Sequence, residues 1–142
     1  MFVLDERLAA DTGLVGDLPL CRVLLMRDAN YPWLVLVPRR PDLRELYQLD
    51  AADQQQYLLE SNTVARLLQQ LFSPEKLNIA ALGNMVPQLH IHHIARYLTD
   101  PAWPRPVWGA VPATPYSSEQ WHQRLAELRH AFLACDLPFE TH

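Results

Sequence analysis

Aliphatic and β-branched residues fill two runs, 20–26 and 33–38, and the stretch between them, Arg27-Asp28-Ala29-Asn30-Tyr31-Pro32, is polar and rich in turn formers. The pattern predicts two strands joined as an antiparallel hairpin, because Asp, Asn and Pro each favour chain reversal. Downstream the apolar period lengthens. Tyr57, Val64, Leu68 and Leu71 recur at near-heptad spacing among Gln and Glu, which predicts a helix with one stripe on a core. Asp50 can accept from the free amides at its start, Asp53 adds favourable charge in its first turn, and Ser73-Pro74 ends it. Residues 77–82 and 88–97 then read as strands, and with 83–87 as the link a second hairpin is expected.

Residues 2–12 fit either a short strand or a helical turn. Beyond Thr99 the prolines at 101, 104 and 106 predict an extended tail that wraps the surface. A last helix opens at Ser117, with Gln120 placed for a capping box and Trp121, Leu125, Leu128 and Phe132 as its apolar stripe. The order is therefore hairpin, helix, hairpin, tail, helix. Segregated strands and helices favour an α+β fold, an antiparallel sheet with one long helix, followed by the extended tail and helix. We expect residues 1–110 to form the domain proper and 111–142 a helical extension packed on it.

Composition narrows the classes. With 142 residues, 49% of them hydrophobic, the chain can bury one real core. The net charge is −4 and the basic residues are scattered apart from Arg39-Arg40, which read as a solvated strand end. A duplex nucleic-acid partner usually leaves a basic footprint, so none is expected. The first residues carry acids where a secretory signal needs a basic start, and no run approaches the roughly 18 to 20 apolar residues that cross a bilayer. A cytoplasmic protein without a membrane partner is expected. Cys21 and Cys135 lie in different predicted elements with no metal or redox spacing, and reduced structural thiols are the simplest reading.

The candidate chemistry lies in Gln88-Leu89-His90-Ile91-His92-His93-Ile94. Strand side chains alternate between faces, so His90 and His92 share one face and His93 takes the other. Imidazole titrates near neutrality and can be nucleophile, acid, base or metal ligand. A metal site needs further ligands, and His122, His130 and His142 fall in the last helix or at the terminus, remote from the motif. Nucleophilic use needs a neutral ring, a partner fixing its tautomer and donors for developing charge. The preceding Gly83-Asn84 suits that need, since glycine admits close backbone approach and the Asn84 amide can donate to a phosphate oxygen.

The segment from Gly83 to Ile94 resembles the signature of the histidine triad family of nucleotide hydrolases and transferases, His-φ-His-φ-His-φ-φ with φ apolar. The likeness runs over roughly residues 15–100. It implies an α+β domain, commonly a homodimer joined through the long helix and a neighbouring strand, that binds purine nucleotides. It implies that His90 attacks the α-phosphorus, forming a nucleotidyl-histidine that water hydrolyses, while His92 polarises phosphoryl oxygens or assists the leaving group. Asp28 falls where the family sets an acidic or amide residue against the ribose, with satisfying the hairpin turn as its alternative role, and Asn84 falls at a phosphate contact. No cofactor or metal is implied.

Departures from that pattern are equally specific. Glutamine, Gln88, stands in the first triad position, where it cannot exchange a proton as imidazole does, although its amide can donate to His90 or hold a backbone group. Trp33 stands where many relatives carry a histidine supporting that position. The 82–87 loop is shorter than in many relatives. Trp103 and Trp108 are candidates to close over a base, although tail aromatics more often pack on their own domain. The leading reading is a hydrolase of a nucleoside phosphoramidate or dinucleoside polyphosphate. The alternative is a catalytically weak nucleotide-binding regulatory protein that kept the pocket. A metal-dependent β-barrel enzyme fits poorly with a helix over 50–72.

Overall fold

The computed structural model describes residues 1–142. Its elements in order are α1 (Glu6–Asp11), β1 (Thr12–Asp17), β2 (Cys21–Met26), β3 (Trp33–Pro38), α2 (Ala51–Phe72), β4 (Lys76–Ala80), β5 (Ile91–Arg96) and α3 (Ser118–Leu133). The strands form one five-stranded sheet in the order β1-β2-β3-β5-β4, every pairing antiparallel. The fold is α+β, with a long helix beside an antiparallel sheet.

The helices begin where their caps dictate. Asp50 accepts from the Asp53 amide at the start of α2 and Ser73, left-handed at φ 45°, closes it. Ser117 and Gln120 form the reciprocal capping box of α3. The ambiguous N-terminal stretch is a short helix capped by Asp5, followed by β1. That strand is invisible to pattern because Gly13 and Gly16 dilute it, and glycine is depleted in strands. Both glycines face close neighbours: a Cβ on Gly13 would lie 2.3 Å from the Trp121 ring, and one on Gly16 2.3 Å from Phe139.

Two layers cover the sheet. On one face Val23, Leu25, Leu34 and Leu36 meet Val64, Leu67 and Leu68 of α2 and Leu125, Leu128 and Phe132 of α3. On the other, Leu24, Trp33, Val35, Val37 and Ile94 meet Leu8 of α1 and Ala102 and Val107 of the tail. Hence β3 and β5 are buried along their whole length. The tail is not extended as its prolines suggest; it folds through successive turns over 98–110. Asp100 is the reason. Its carboxylate accepts from the Tyr97, Ala102 and Trp103 amides and pairs with Arg96 at 2.8 Å, both side chains 2% exposed.

The second hairpin also differs from expectation. β4 and β5 do pair, Ala80 with His92 through Lys76 with Arg96, but β5 starts at Ile91, so residues 81–90 form the connection. The basic pair is held rather than free: Arg40 binds Asp53 at 2.7 Å, and Arg39 donates to the Leu18 and Pro19 carbonyls. Both cysteines are unpaired in a disulfide, Cys21 buried.

One buried charge ties α2 to the sheet. Glu60 is fully buried and its two oxygens accept from the Leu20 and Cys21 amides, at 2.8 and 2.7 Å, and from Gln56. Replacing it by alanine leaves two buried amides without acceptors, so Glu60→Ala should lower the unfolding free energy by about 3 kcal/mol in urea titrations. A loss below about 1 kcal/mol would mean the amides find other partners.

Candidate active site

Tryptophan has a donor and no acceptor, and a backbone carbonyl has an acceptor and no donor. These two facts fix which Nδ1 of the histidine pair carries a proton. The Trp33 indole N–H donates to His92 Nδ1 at 2.9 Å, which requires a bare Nδ1 and puts the His92 proton on Nε2. His90 Nδ1 lies 2.7 Å from the Gln88 carbonyl oxygen, so Nδ1 carries a proton, and the neutral ring then has its lone pair on Nε2. The rings stand edge to face with centroids 5.0 Å apart. One ring thus offers an in-plane lone pair and its neighbour an N–H donor.

The fold supplies each partner. Trp33 pairs with Ile94 and Val35 with His92 in the β3–β5 register, so Trp33 and His92 share a sheet face on adjacent strands, one step apart. His90 precedes β5 and is 7% exposed, His92 5%. Burial, then the neighbouring His90 and His93, pulls the His92 pKa from 6.5 down to about 3. His93 takes the opposite face, where its Nδ1 donates to the Ile91 carbonyl and its Nε2 accepts from Ser61 Oγ at 2.8 Å. Burial takes its pKa down to about 4. It packs α2 onto β5.

A cavity of about 430 Å³ opens on the His90–His92 face. Its walls are mainly apolar: Leu8, Met26, Trp33, Leu82, Met85, Val86 and Trp108. The polar lining is Asp11, Asn84, His90 and His92, with Gly83 in the loop. Gly83 has φ +76°, a left-handed turn residue that glycine adopts without strain. The loop is pinned from α1, where Arg7 donates to the Met85 carbonyl at 2.9 Å. Trp108 stands edge-on to both His92 and Trp33, at 5.0 and 6.0 Å, and is 37% exposed. Trp103 lies instead over the Arg96 guanidinium, outside the cavity.

Two side chains expected in the site point elsewhere. The Asp28 carboxylate accepts from the Asn30 and Thr114 amides, stitching the β2–β3 turn to the segment before α3. It does not line the cavity, because Asn30 and Thr114 hold it in the turn. Gln88 turns its side chain away from His90: Oε1 accepts from the Asp5 amide and Nε2 donates to the Val3 carbonyl, both at 2.8 Å. It tethers the N-terminal segment. Asp11, Leu8 and Met26 were not singled out from sequence. Leu8 and Asp11 lie within residues 2–12, whose element type the pattern leaves open, and Met26 ends an ordinary strand run. No three His, Cys, Asp or Glu side chains are grouped to hold a metal ion.

The HIT domain family matches residues 7–99, and the chain belongs to that family. It is similar along nearly its whole length to three solved histidine triad proteins. One from Marinobacter aquaeolei VT8 is 53% identical, over 92% of this chain and 96% of that one, with a TM-score of 0.89. One from Bradyrhizobium japonicum is 49% identical over 92% and 97%, TM-score 0.89. A third, from Sinorhizobium meliloti 1021, is 45% identical over 92% and 97%, TM-score 0.89. No curated protein matches the chain. No helix of the molecule is long and apolar enough to cross a membrane.

The shifted histidines couple folding to pH. The unfolded chain takes up protons below about pH 6.5 that His92 and His93 refuse when folded, so their contribution is complete above that pH and lost toward 4 and 3. Each should remove about 2 kcal/mol of stability between pH 7 and pH 5. Urea midpoints at the two pH values should show a smaller drop for His93→Gln than for the wild type. Equal drops would show that His93 protonates freely in the native state.

Proposed function

We propose that the protein is a nucleotide hydrolase or transferase acting at the α-phosphate of a nucleoside phosphoramidate or dinucleoside polyphosphate, in the cytoplasm and without a cofactor. Membership of the HIT domain family supports nucleotide-directed chemistry of this type. The single observation that carries the reading is the complementary pair lining one cavity: His90 has its Nδ1 against a carbonyl, which in the neutral ring leaves a lone pair on Nε2, and His92 has its Nδ1 against an indole N–H, which puts its proton on Nε2.

In this reading His90 Nε2 attacks the α-phosphorus and the bond to the leaving group breaks. The Gln88 carbonyl, accepting from Nδ1–H, stabilises the positive charge that the ring acquires as a nucleotidyl-imidazole. His92 Nε2–H and the Asn84 amide donate to phosphoryl oxygens, with the Gly83 loop against the phosphate. Water then attacks phosphorus and gives up a proton to solvent, and the N–P electron pair returns to His90 Nε2. Gln88 occupies the first triad position and serves through its backbone. Asp11, the carboxylate of the lining, takes the ribose role that Asp28 cannot reach. The apolar walls with Trp108 receive a purine. Residues 1–110 form the nucleotide-binding domain and 111–142 an extension packed on it.

His90→Ala should reduce hydrolysis of adenosine phosphoramidate or diadenosine polyphosphate by at least about 10³-fold while nucleotide binding stays measurable by calorimetry. Mass spectrometry of acid-sensitive adducts in quenched wild type should find the nucleotidyl group on His90. Near-native turnover by the variant would end the assignment.

A homodimer is part of the same reading. β4 is a sheet edge, where backbone groups await a partner strand. Ile79 on β4 is 49% exposed and pairs with His93, so it shares the face that α2 covers, and Leu58 of α2 is 59% exposed. Sedimentation should show a dimer that Ile79→Lys converts to monomer. A wild type that sediments as a monomer at tens of micromolar would exclude it.

A further inference from the structure

The Trp33–His92 contact has a chemical consequence that reaches the substrate. For His92 to become an imidazolium it must gain a proton on Nδ1, the atom to which the Trp33 N–H already points at 2.9 Å. Two N–H groups would then face each other. The indole cannot relieve the clash by accepting, since it has no acceptor. Nor can it swing away cheaply. Trp33 is 7% exposed and held edge-on by Tyr31 at 6.2 Å and Trp108 at 6.0 Å, and its backbone lies in the β3–β5 ladder. His92 therefore keeps one proton, on Nε2, and losing that proton would leave an imidazolate.

The other groups around it offer no relay. His90 holds its own proton against the Gln88 carbonyl and uses its free nitrogen for attack. The Gln88 amide is bound at both ends to residues 3 and 5. His93 lies across the sheet on Ser61, and Asp11, the one carboxylate of the cavity lining, is hydrogen-bonded to neither His90 nor His92. A ring that can donate a hydrogen bond without transferring its proton stabilises charge on phosphoryl oxygen but does not supply an acid to the leaving group.

We propose that Trp33 is a positioning and specificity-determining residue that locks His92 as a fixed donor, restricting efficient turnover to substrates whose leaving group departs as an anion. This rests on the hydrolase reading above and narrows it. The favoured class is the phosphoanhydride, where the α-phosphorus to oxygen bond breaks, the electron pair leaves with that oxygen, and the departing phosphate needs no proton. A phosphoramidate is disfavoured, because its nitrogen must be protonated as the phosphorus to nitrogen bond breaks. The missing acid costs on the order of 10²-fold for such a leaving group.

The test uses the full chain and a set of adenosine 5′-monophosphate derivatives that differ only in the leaving group: diadenosine polyphosphate, aryl esters of graded phenol acidity, and an alkylamidate. In the wild type, kcat/KM should fall steeply as the leaving group becomes more basic. In Trp33→His, whose imidazole can accept as well as donate, alkylamidate turnover should rise at least about tenfold relative to the anhydride, with a new acidic limb in its pH profile. A wild type that cleaves the alkylamidate as well as the anhydride would overturn the proposal. Nitrogen NMR of the ligand-free protein reads the tautomer separately: His92 Nδ1 should stay bare and Nε2 protonated from roughly pH 5 to 8, and an imidazolium in that range would also overturn it. No turnover of any member would instead refute the hydrolase reading, taking the leaving-group claim with it, and the NMR result would still report whether Trp33 locks the ring.

Discussion

A strand buried on both faces is a poor place for charge, and β5 carries His92 and His93 there. Desolvation drives both rings neutral, and a neutral imidazole has one donor and one acceptor whose placement must be chosen by its partners. The partners here leave no freedom. On one face an indole N–H forces His92 to present Nε2–H to the cavity; on the other, a carbonyl and a serine hydroxyl absorb both nitrogens of His93. The same residue type at adjacent positions of a strand thus serves as site or as packing, according to what the facing element offers. His90, just before the strand, takes its proton position from the chain's own backbone.

The covering layers follow from that requirement. α2 and α3 seal one face with an apolar stripe and one buried carboxylate, Glu60, whose backbone partners sit at the start of β2. The other face is sealed by short pieces: α1 and the turns of 98–110, fastened by Asp100 and Arg96. Covering a face with pieces leaves a gap between them, and the cavity is that gap. Its rim is set by tethers far apart in sequence, Arg7 to Met85 and Gln88 to residues 3 and 5. Cavity shape therefore depends on the N-terminal segment even though that segment carries none of the triad-like chemistry.

Much of this is legible in the sequence. The β2–β3 hairpin, the capped α2 with its stripe, α3 with its box, and the sharing of one side by His90 and His92 all follow from local period and cap chemistry. What escaped pattern has identifiable causes. β1 contains two glycines whose role is to admit Trp121 and Phe139, a tertiary reason with no local signal. The tail turns because Asp100 gathers three amides, an arrangement that proline spacing does not encode. Asp28 and Gln88 were placed by analogy of position, and in each case a backbone partner distant in sequence, Thr114 or Val3, holds the side chain. Position along a motif fixes where a backbone goes; it does not fix where a long polar side chain finds its bonds.

The cavity has no lysine or arginine in its lining, and that absence shapes how an anion would be held on the proposed reading. An ammonium or guanidinium attracts phosphate from a distance and binds it in many orientations. Neutral donors act only at hydrogen-bond range and only along their N–H directions. A site made of an imidazole N–H, an amide and a glycine loop among apolar walls therefore gains little from long-range attraction and much from alignment, once the nucleoside is seated in the apolar part. Removing water from such a pocket strengthens those few bonds, since there is less dielectric to screen them. The chain's overall charge of −4 is tolerable for an anionic ligand for the same reason: attraction is not what selects it. On the proposed reading orientation is, and the Trp33–His92 bond is the contact that sets it.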